Sequence, residues 1–310
     1  MSDLCYKMFL PPLKHQGLRY AKWMSNKKDI IVSASDGVWL YEDPINLSFK
    51  KKLIIYKKDR KYKDSEIFEV IPVNVNSEWV VYRTRYSELT TLNIFTGEVC
   101  QLGHSSFLFS LEIEFTKNGE FMIVGETGER LKILDYNKRK LLEDTSDICG
   151  PISSVYQGNK ILCSASNMID EFVEYDFLIN KKKQLVSSQK ILEISGKEFI
   201  DCEWIIRTDE KVITYHYKEA IRIWNSDMTI IFSEWTPNFS DDDDYKFAFD
   251  GIDAILALSK TICMTYNIQS TEIKKLLLQP HHYGEIFSFS NEMIILFSVS
   301  NNEIYFYNKL

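Results

Sequence analysis

The sequence predicts an all-β chain of seven like units, each a four-stranded antiparallel sheet, set radially and closed into a ring. Three observations predict it. First, seven times an apolar run ends in an aromatic or aliphatic residue followed by Asp, Asn or Glu. The pairs are Tyr41-Glu42, Leu92-Asn93, Leu134-Asp135, Tyr175-Asp176, Trp224-Asn225, Tyr266-Asn267 and Tyr307-Asn308. Their first members are 51, 42, 41, 49, 42 and 41 residues apart, and a period near 41 marks an array of like supersecondary units. Second, each unit divides into short apolar or alternating runs separated by turn residues. Third, the seventh unit stops two residues after its pair, at Leu310, while residues 4–10 precede the first unit and belong to none. That segment is expected to supply the missing fourth strand, which closes the ring and removes the edge of an open array.

The third unit shows the elements in order. Residues 111–115 alternate as a strand does, and Lys117-Asn118-Gly119 is a turn. Residues 121–124 form a buried strand, Glu126-Thr127-Gly128 a second turn and residues 131–134 a third strand. This is the pattern of a β-meander. The first turn recurs at Asn74, Asn76 and Ser77, at Gly158-Asn159, Thr208-Asp209, Asp250-Gly251 and Ser290-Asn291. These residue types tolerate positive φ or bond back to their own backbone. The second strand recurs at residues 29–32, 79–82, 161–163, 212–215, 254–257 and 293–296. These runs are nearly all apolar, which predicts burial on both faces. Fourth strands follow at residues 98–102, 229–232 and 272–278, more polar and therefore outermost. The two long spacings place insertions within residues 43–66 and 177–198. The predicted units span residues 14–57, 65–103, 104–146, 147–190, 193–235, 236–278 and 279–310 with 4–10, one domain over residues 1–310.

This pattern resembles that of WD40-type seven-bladed β-propellers. Ile223-Trp224-Asn225 resembles the Trp-Asp motif, and Leu92-Asn93 followed by Thr96-Gly97-Glu98 resembles that motif with the Thr-Gly-Glu that often succeeds it. Gly103-His104 resembles the Gly-His that opens a repeat. The resemblance covers essentially the whole chain, although no unit has both Gly-His and Trp-Asp. It implies a non-catalytic interaction scaffold, one subunit of an intracellular multiprotein complex, with other proteins as partners.

Composition narrows the classes. A net charge of −7 with pI near 5.4 lacks the basic excess of a dedicated nucleic-acid binder. Cys5, Cys100, Cys149, Cys163, Cys202 and Cys263 form no Cys-x-x-Cys pair, so reduced thiols are expected. Asp3 and Lys7 interrupt any apolar core of a signal peptide, and the apolar run at residues 293–297 is too short to span a bilayer. A cytoplasmic or nuclear location, without membrane insertion, is the expectation.

Chemistry-bearing motifs are sparse. There is no Gly-x-Ser-x-Gly, no Gly-x-Gly-x-x-Gly and no P-loop. His15, His104, His216, His281 and His282 do not lie at metal-ligand spacing. No catalytic residue, cofactor or metal is therefore assigned. An enzyme with a site at the mouth of a central channel stays open as an alternative, because such sites assemble from separate segments.

Charged clusters are the candidate binding sites. Residues 50–63 carry eight basic residues, among them Lys57, Lys58, Arg60 and Lys61, within the first insertion. Lys181, Lys182 and Lys183 lie in the second insertion, and Lys138, Arg139 and Lys140 occupy the same turn one unit earlier. The last two clusters are expected on one face of neighbouring blades. Solvated turns account for such charges, and binding of an acidic peptide, a phosphorylated partner or an RNA backbone is the sharper reading. An RNA- or ribosome-associated propeller is the resulting alternative. Arg83, Arg85 and Tyr86 are placed in the turn between the second and third strands of unit two, as residue types that anchor interfaces. Asp241, Asp242, Asp243 and Asp244 do not alternate as calcium-loop ligands do, which favours a basic partner.

Overall fold

The computed structural model describes the chain apart from residues 1, 9, 25, 36, 47–49, 57–66, 74–77, 85–87, 105–110, 117–119, 127–129, 136, 139, 150–152, 154–158, 166–170, 177–178, 180, 196–201, 217–218, 238–244, 260–261, 279–284 and 291. β1 (Ser2–Met8) and β2 (Leu13–Lys14) come first. The first sheet is β3 (Leu18–Trp23), β4 (Ile30–Ala34), β5 (Gly37–Glu42) and β6 (Lys50–Tyr56). The second is β7 (Ile67–Pro72), β8 (Trp79–Thr84), β9 (Glu88–Asn93) and β10 (Val99–His104). The third is β11 (Leu111–Phe115), β12 (Phe121–Glu126), β13 (Arg130–Asp135) and β14 (Lys140–Cys149). The fourth holds β15 (Lys160–Ala165), β16 (Glu171–Asp176) and β17 (Lys181–Ser187), and runs on into α1 (Ser188–Ser195). The fifth is β18 (Cys202–Arg207), β19 (Lys211–His216), β20 (Ala220–Asn225) and β21 (Ile231–Trp235). Two further meanders follow, β22 (Lys246–Phe249) to β25 (Ile273–Leu277) through β23 (Ala254–Leu258) and β24 (Cys263–Asn267), and then β26 (Glu285–Phe289), β27 (Met293–Ser298) and β28 (Glu303–Lys309).

The chain divides into two compact units. One comprises Met1–Phe107 with Asp242–Leu310, and the other Leu108–Asp241. In the first unit, Leu18, Ala21, Ile30, Val32 and Tyr41 of the first sheet bury against Ile295, Phe297, Ile304 and Phe306 of β27 and β28. Ile31, Val38 and Leu40 face Val70, Val80, Tyr82 and Leu92 of the second sheet. In the second unit, Ile123, Leu131 and Ile133 pack on Ile161, Cys163 and Tyr175. Leu162 and Phe172 pack on Val212 and Trp224, with Ile194 of α1 alongside. β4, β19, β23 and β27 are buried at every position or all but the first, as their unbroken apolar runs require.

The seven pairs share one structural role. Their first members are all buried. Each lies in a third strand, opposite the start of the second: Tyr41 with Ile30, Leu92 with Val80, Leu134 with Met122, Tyr175 with Ile161, Trp224 with Val212, Tyr266 with Ile255 and Tyr307 with Ile294. The second members end the strand, save Asn308, which Lys309 follows in β28. At five of the seven sites the side-chain Oδ1 accepts backbone N–H bonds from the turn that follows. Asn93 accepts from Phe95 and Thr96, Asp135 from Lys138, Asp176 from Ile179, Asn225 from Thr229 and Ile230, and Asn267 from Gln269 and Ser270. A short side-chain acceptor at this position turns the chain back toward the next strand. The same bonds explain why β21 starts at Ile231 and not at 229 as the sequence suggests: the N–H groups of Thr229 and Ile230 are already bonded to Asn225. First turns close alike. The N–H groups of Met24, Val73, Thr116, Thr208, Asp250 and Ser290 bond the carbonyls of Asp29, Trp79, Phe121, Lys211, Ala254 and Met293 at 2.8–3.1 Å.

The N-terminal segment departs from its expected bounds. β1 spans Ser2–Met8 and divides its pairing. Tyr6, Lys7 and Met8 run antiparallel to β28, as the outer strand beside β26, β27 and β28. Ser2, Asp3, Leu4 and Cys5 run parallel to β25, which joins the last two meanders into one sheet. Leu10 lies beyond the strand, and the Pro11-Pro12 that follow have no N–H to donate to a ladder. Leu10 instead enters the core beside Ile304 and Phe306.

Insertion 177–198 holds β17 and α1. In insertion 43–66, β6 is strand and residues 57–66 lie outside the described ones. Among the described residues no helix is long and apolar enough to cross a membrane. Cys5, Cys100, Cys163, Cys202 and Cys263 are free thiols, and burial pushes the Cys263 thiol up.

Two buried phenols give the fold a pH limit. Burial first, and then the proximity of Cys263, pushes the Tyr6 hydroxyl up to about 12. Burial and then its hydrogen bond to Glu303 push Tyr305 up to about 12. Below pH 10 both are protonated, folded or unfolded, and their contribution to stability is intact. Above pH 10 the unfolded chain releases these protons and the folded one holds them, so stability falls as pH rises toward 12. Urea midpoints measured just below pH 10 and near pH 12 are expected to drop between the two, and to drop less in Tyr6→Phe.

Candidate functional site

β17 presents an exposed, basic strand surface. Lys181, Lys182, Lys183 and Gln184 are exposed at four successive positions. The ladder to β16 sets Lys181 against Asp176, Lys182 against Tyr175 and Lys183 against Glu174. These carboxylates have other partners. Glu174 Oε1 accepts from Lys160 Nζ at 3.0 Å, and Asp176 Oδ1 from Asn159 Nδ2 at 2.6 Å. The lysines of β17 therefore project from a strand whose acidic neighbour is already engaged.

The cluster one unit earlier takes the equivalent position. Lys140 opens β14 opposite Asp135 as Lys181 opens β17 opposite Asp176. The sheets that carry them pack together through Ile133 and Tyr175. Lys138 has a different task. Its Nζ lies 2.8 Å from Asp135 Oδ2, and its own N–H bonds Asp135 Oδ1. The Lys138 hydrogen bonds hold the Asp135 carboxyl below the usual carboxylate range, and the same contact raises Lys138. That ammonium closes its own turn. Arg139 lies outside the described residues.

The remaining sites divide. Lys57, Lys58, Arg60 and Lys61 lie outside the described residues, as do Arg85, Tyr86, Asp241, Asp242, Asp243 and Asp244. Arg83 is corrected: it belongs to β8 and not to the turn, paired with Glu69 and Leu89, and is 3% exposed. Two more strand positions than expected carry β8 through Arg83 and Thr84, so this guanidinium faces the interior. Gly103-His104 ends β10, opposite Leu89 and Glu88. His281 and His282 lie outside the described residues.

Residue-type reasoning missed a buried polar chain in the fifth sheet. Trp224 Nε1 donates to Thr214 Oγ1 at 2.9 Å, and Thr214 Oγ1 lies 2.9 Å from His216 Nε2. All three side chains are fully buried, and Phe172 sits edge-on to both rings. Beside them Arg222, also fully buried, meets Glu219 through Nη2 at 2.8 Å and Glu234 through Nε at 3.0 Å. A buried guanidinium needs such partners to offset desolvation. The signal was present as a period of two: Thr214 and His216 share one face of β19, and Arg222 and Trp224 lie on that same face of the sheet in neighbouring β20. Between β2 and β3, His15 Nε2 lies 2.7 Å from the hydroxyl of Tyr41 in the first sheet, with the rings edge to face. These groups bond one another inside packed sheets and organise the core. Among the described residues no three His, Cys, Asp or Glu side chains gather to hold a metal ion.

No protein-family model matches the chain, and no curated protein matches it.

Proposed function

We propose that this chain is a WD40-like, seven-bladed β-propeller acting as a non-catalytic interaction scaffold, a subunit of an intracellular multiprotein complex. The observation that carries the reading is the recurring register, in which seven third strands present a buried aromatic or leucine side chain opposite the start of the second. Like meanders in that number suit radial repetition, and β1 beside β28 suits a ring closed by an N-terminal strand. Such sheets work by rigid display: loops and outer strands are held in place for partners. The buried polar groups described above serve packing, while exposed charge gathers on β17. A tagged chain purified from its native cells is expected to bring down a defined set of proteins, identified by mass spectrometry. A chain recovered alone under mild salt overturns the reading.

A second reading has its own observation. Lys140 and Lys181 take equivalent register positions on sheets that pack together, and basic residues on neighbouring sheets suit a phosphate backbone. In that case RNA accompanies the purified chain, and its binding falls steeply with salt.

A further inference from the structure

We propose that β17 is a docking edge for an extended, acidic segment of a partner protein, which joins the fourth sheet as an added strand with its carboxylates on Lys181 and Lys183. The proposal rests on the scaffold reading and names the chemistry of one partner. Among the described residues β17 pairs with β16 alone, so its far edge offers backbone N–H and C=O groups to a further strand. β21, the outer strand of the next sheet, alternates between half-buried and exposed positions before it ends on buried Trp235. β17 instead is exposed at four positions running, so both faces of this half stand in solvent. α1 begins directly after Ser187, which confines the free edge to the lysine-bearing half.

Charge decides what fits. Lys181 and Lys183 project to one face, and the carboxylates they oppose on β16 are engaged by Asn159 and Lys160. Neither lysine has an ion pair among the described residues. β16 itself, Glu171-Phe-Val-Glu-Tyr-Asp176, is an example of what β17 pairs with: three carboxylates in six residues. A strand of that kind on the far edge brings its carboxylates within diagonal reach of the same lysines. Lysines on an edge keep like strands from pairing; for a strand bearing carboxylates that repulsion becomes attraction, so the edge selects by sign. An RNA backbone would use the charges and leave the ladder groups unused, which favours the peptide.

The test titrates the full chain, by fluorescence anisotropy, with a labelled peptide of the β16 sequence. Parallel titrations use its Gln/Asn counterpart, two versions N-methylated at alternate residues in opposite phase, and an oligouridine. The acidic peptide is expected to bind, and its uncharged counterpart to bind about tenfold more weakly. One methylated phase should lose binding, because it lacks the ladder donors, and the other keep it. The Lys181→Glu/Lys183→Glu chain should bind about tenfold more weakly. Lys181→Gln/Lys183→Gln gives the same direction if charge reversal disturbs folding. Absent peptide binding, equal binding by both methylated phases, unchanged binding by the lysine variants, or oligouridine binding in place of the peptide each overturns the proposal. A chain that co-purifies with partners yet binds no peptide loses the docking edge and keeps the scaffold. One that binds the peptide and co-purifies with nothing loses the scaffold alone.

Discussion

A chain lacking residues 1–12 is expected to melt far below the full-length protein, or not to fold cooperatively at all. β1 contributes on three counts. It pairs with β25 over four residues and with β28 over three. Tyr6 is 3% exposed in the cluster with Leu256, Leu276, Ile294 and Tyr307. Leu10, just beyond the strand, is buried among Leu18, Phe297 and Phe306. Removal of two such side chains costs about 2–5 kcal/mol each in comparable cores. It also bares the edges of β25 and β28 to water and to other chains. Set against a typical total of about 5–15 kcal/mol, that is most of the margin. Thermal melts followed by circular dichroism check it, with Tyr6→Ala/Leu10→Ala as a milder version should the truncated chain fail to express. An unchanged melting temperature would show that the strand closes nothing.

The second large effect is expected at Trp224. Trp224→Ala opens a cavity against Leu162, Phe172 and Val212 and removes the donor to Thr214, for a loss of about 3–5 kcal/mol. Trp224→Phe fills most of the space but leaves the Thr214 hydroxyl without its indole N–H, for about 1–3 kcal/mol. Urea unfolding of the two variants separates packing from hydrogen bonding. Equal losses would mean that the cavity adds nothing beyond the lost bond, and no loss in Trp224→Phe that the bond adds nothing beyond volume.

Much of this architecture could be read along the chain because it is local. Alternation, turn residues and the apolar-acidic pair each act over a few neighbours. Asn93, Asp135, Asp176, Asn225 and Asn267 bond N–H groups at most five residues on. That is why their period survives in the sequence. Arg83 was misread because the end of a strand is set by its partners: the ladder to Glu69 and Leu89 carries β8 past the residue where turn chemistry would have stopped it. The fifth-sheet polar chain escaped notice because Thr214, His216 and Trp224 look unremarkable singly and acquire meaning only through cross-strand register.

The candidate site shows the same division. Composition located the lysine clusters at 138–140 and 181–183, and the repeat put them at equivalent positions. It could not distinguish Lys138, whose ammonium is held by Asp135, from Lys181 and Lys183, whose opposing carboxylates are bonded elsewhere. By itself, then, the sequence determined the repeat, the strand order within each sheet and the residues that turn the chain, since these follow from side-chain period and backbone chemistry over short distances. Only the tertiary structure decided that β1 serves two meanders, that Arg222 is buried between two carboxylates and that the lysine-bearing half of β17 stands with both faces in water. Each of those depends on which distant strand arrives alongside, and that is a property of packing.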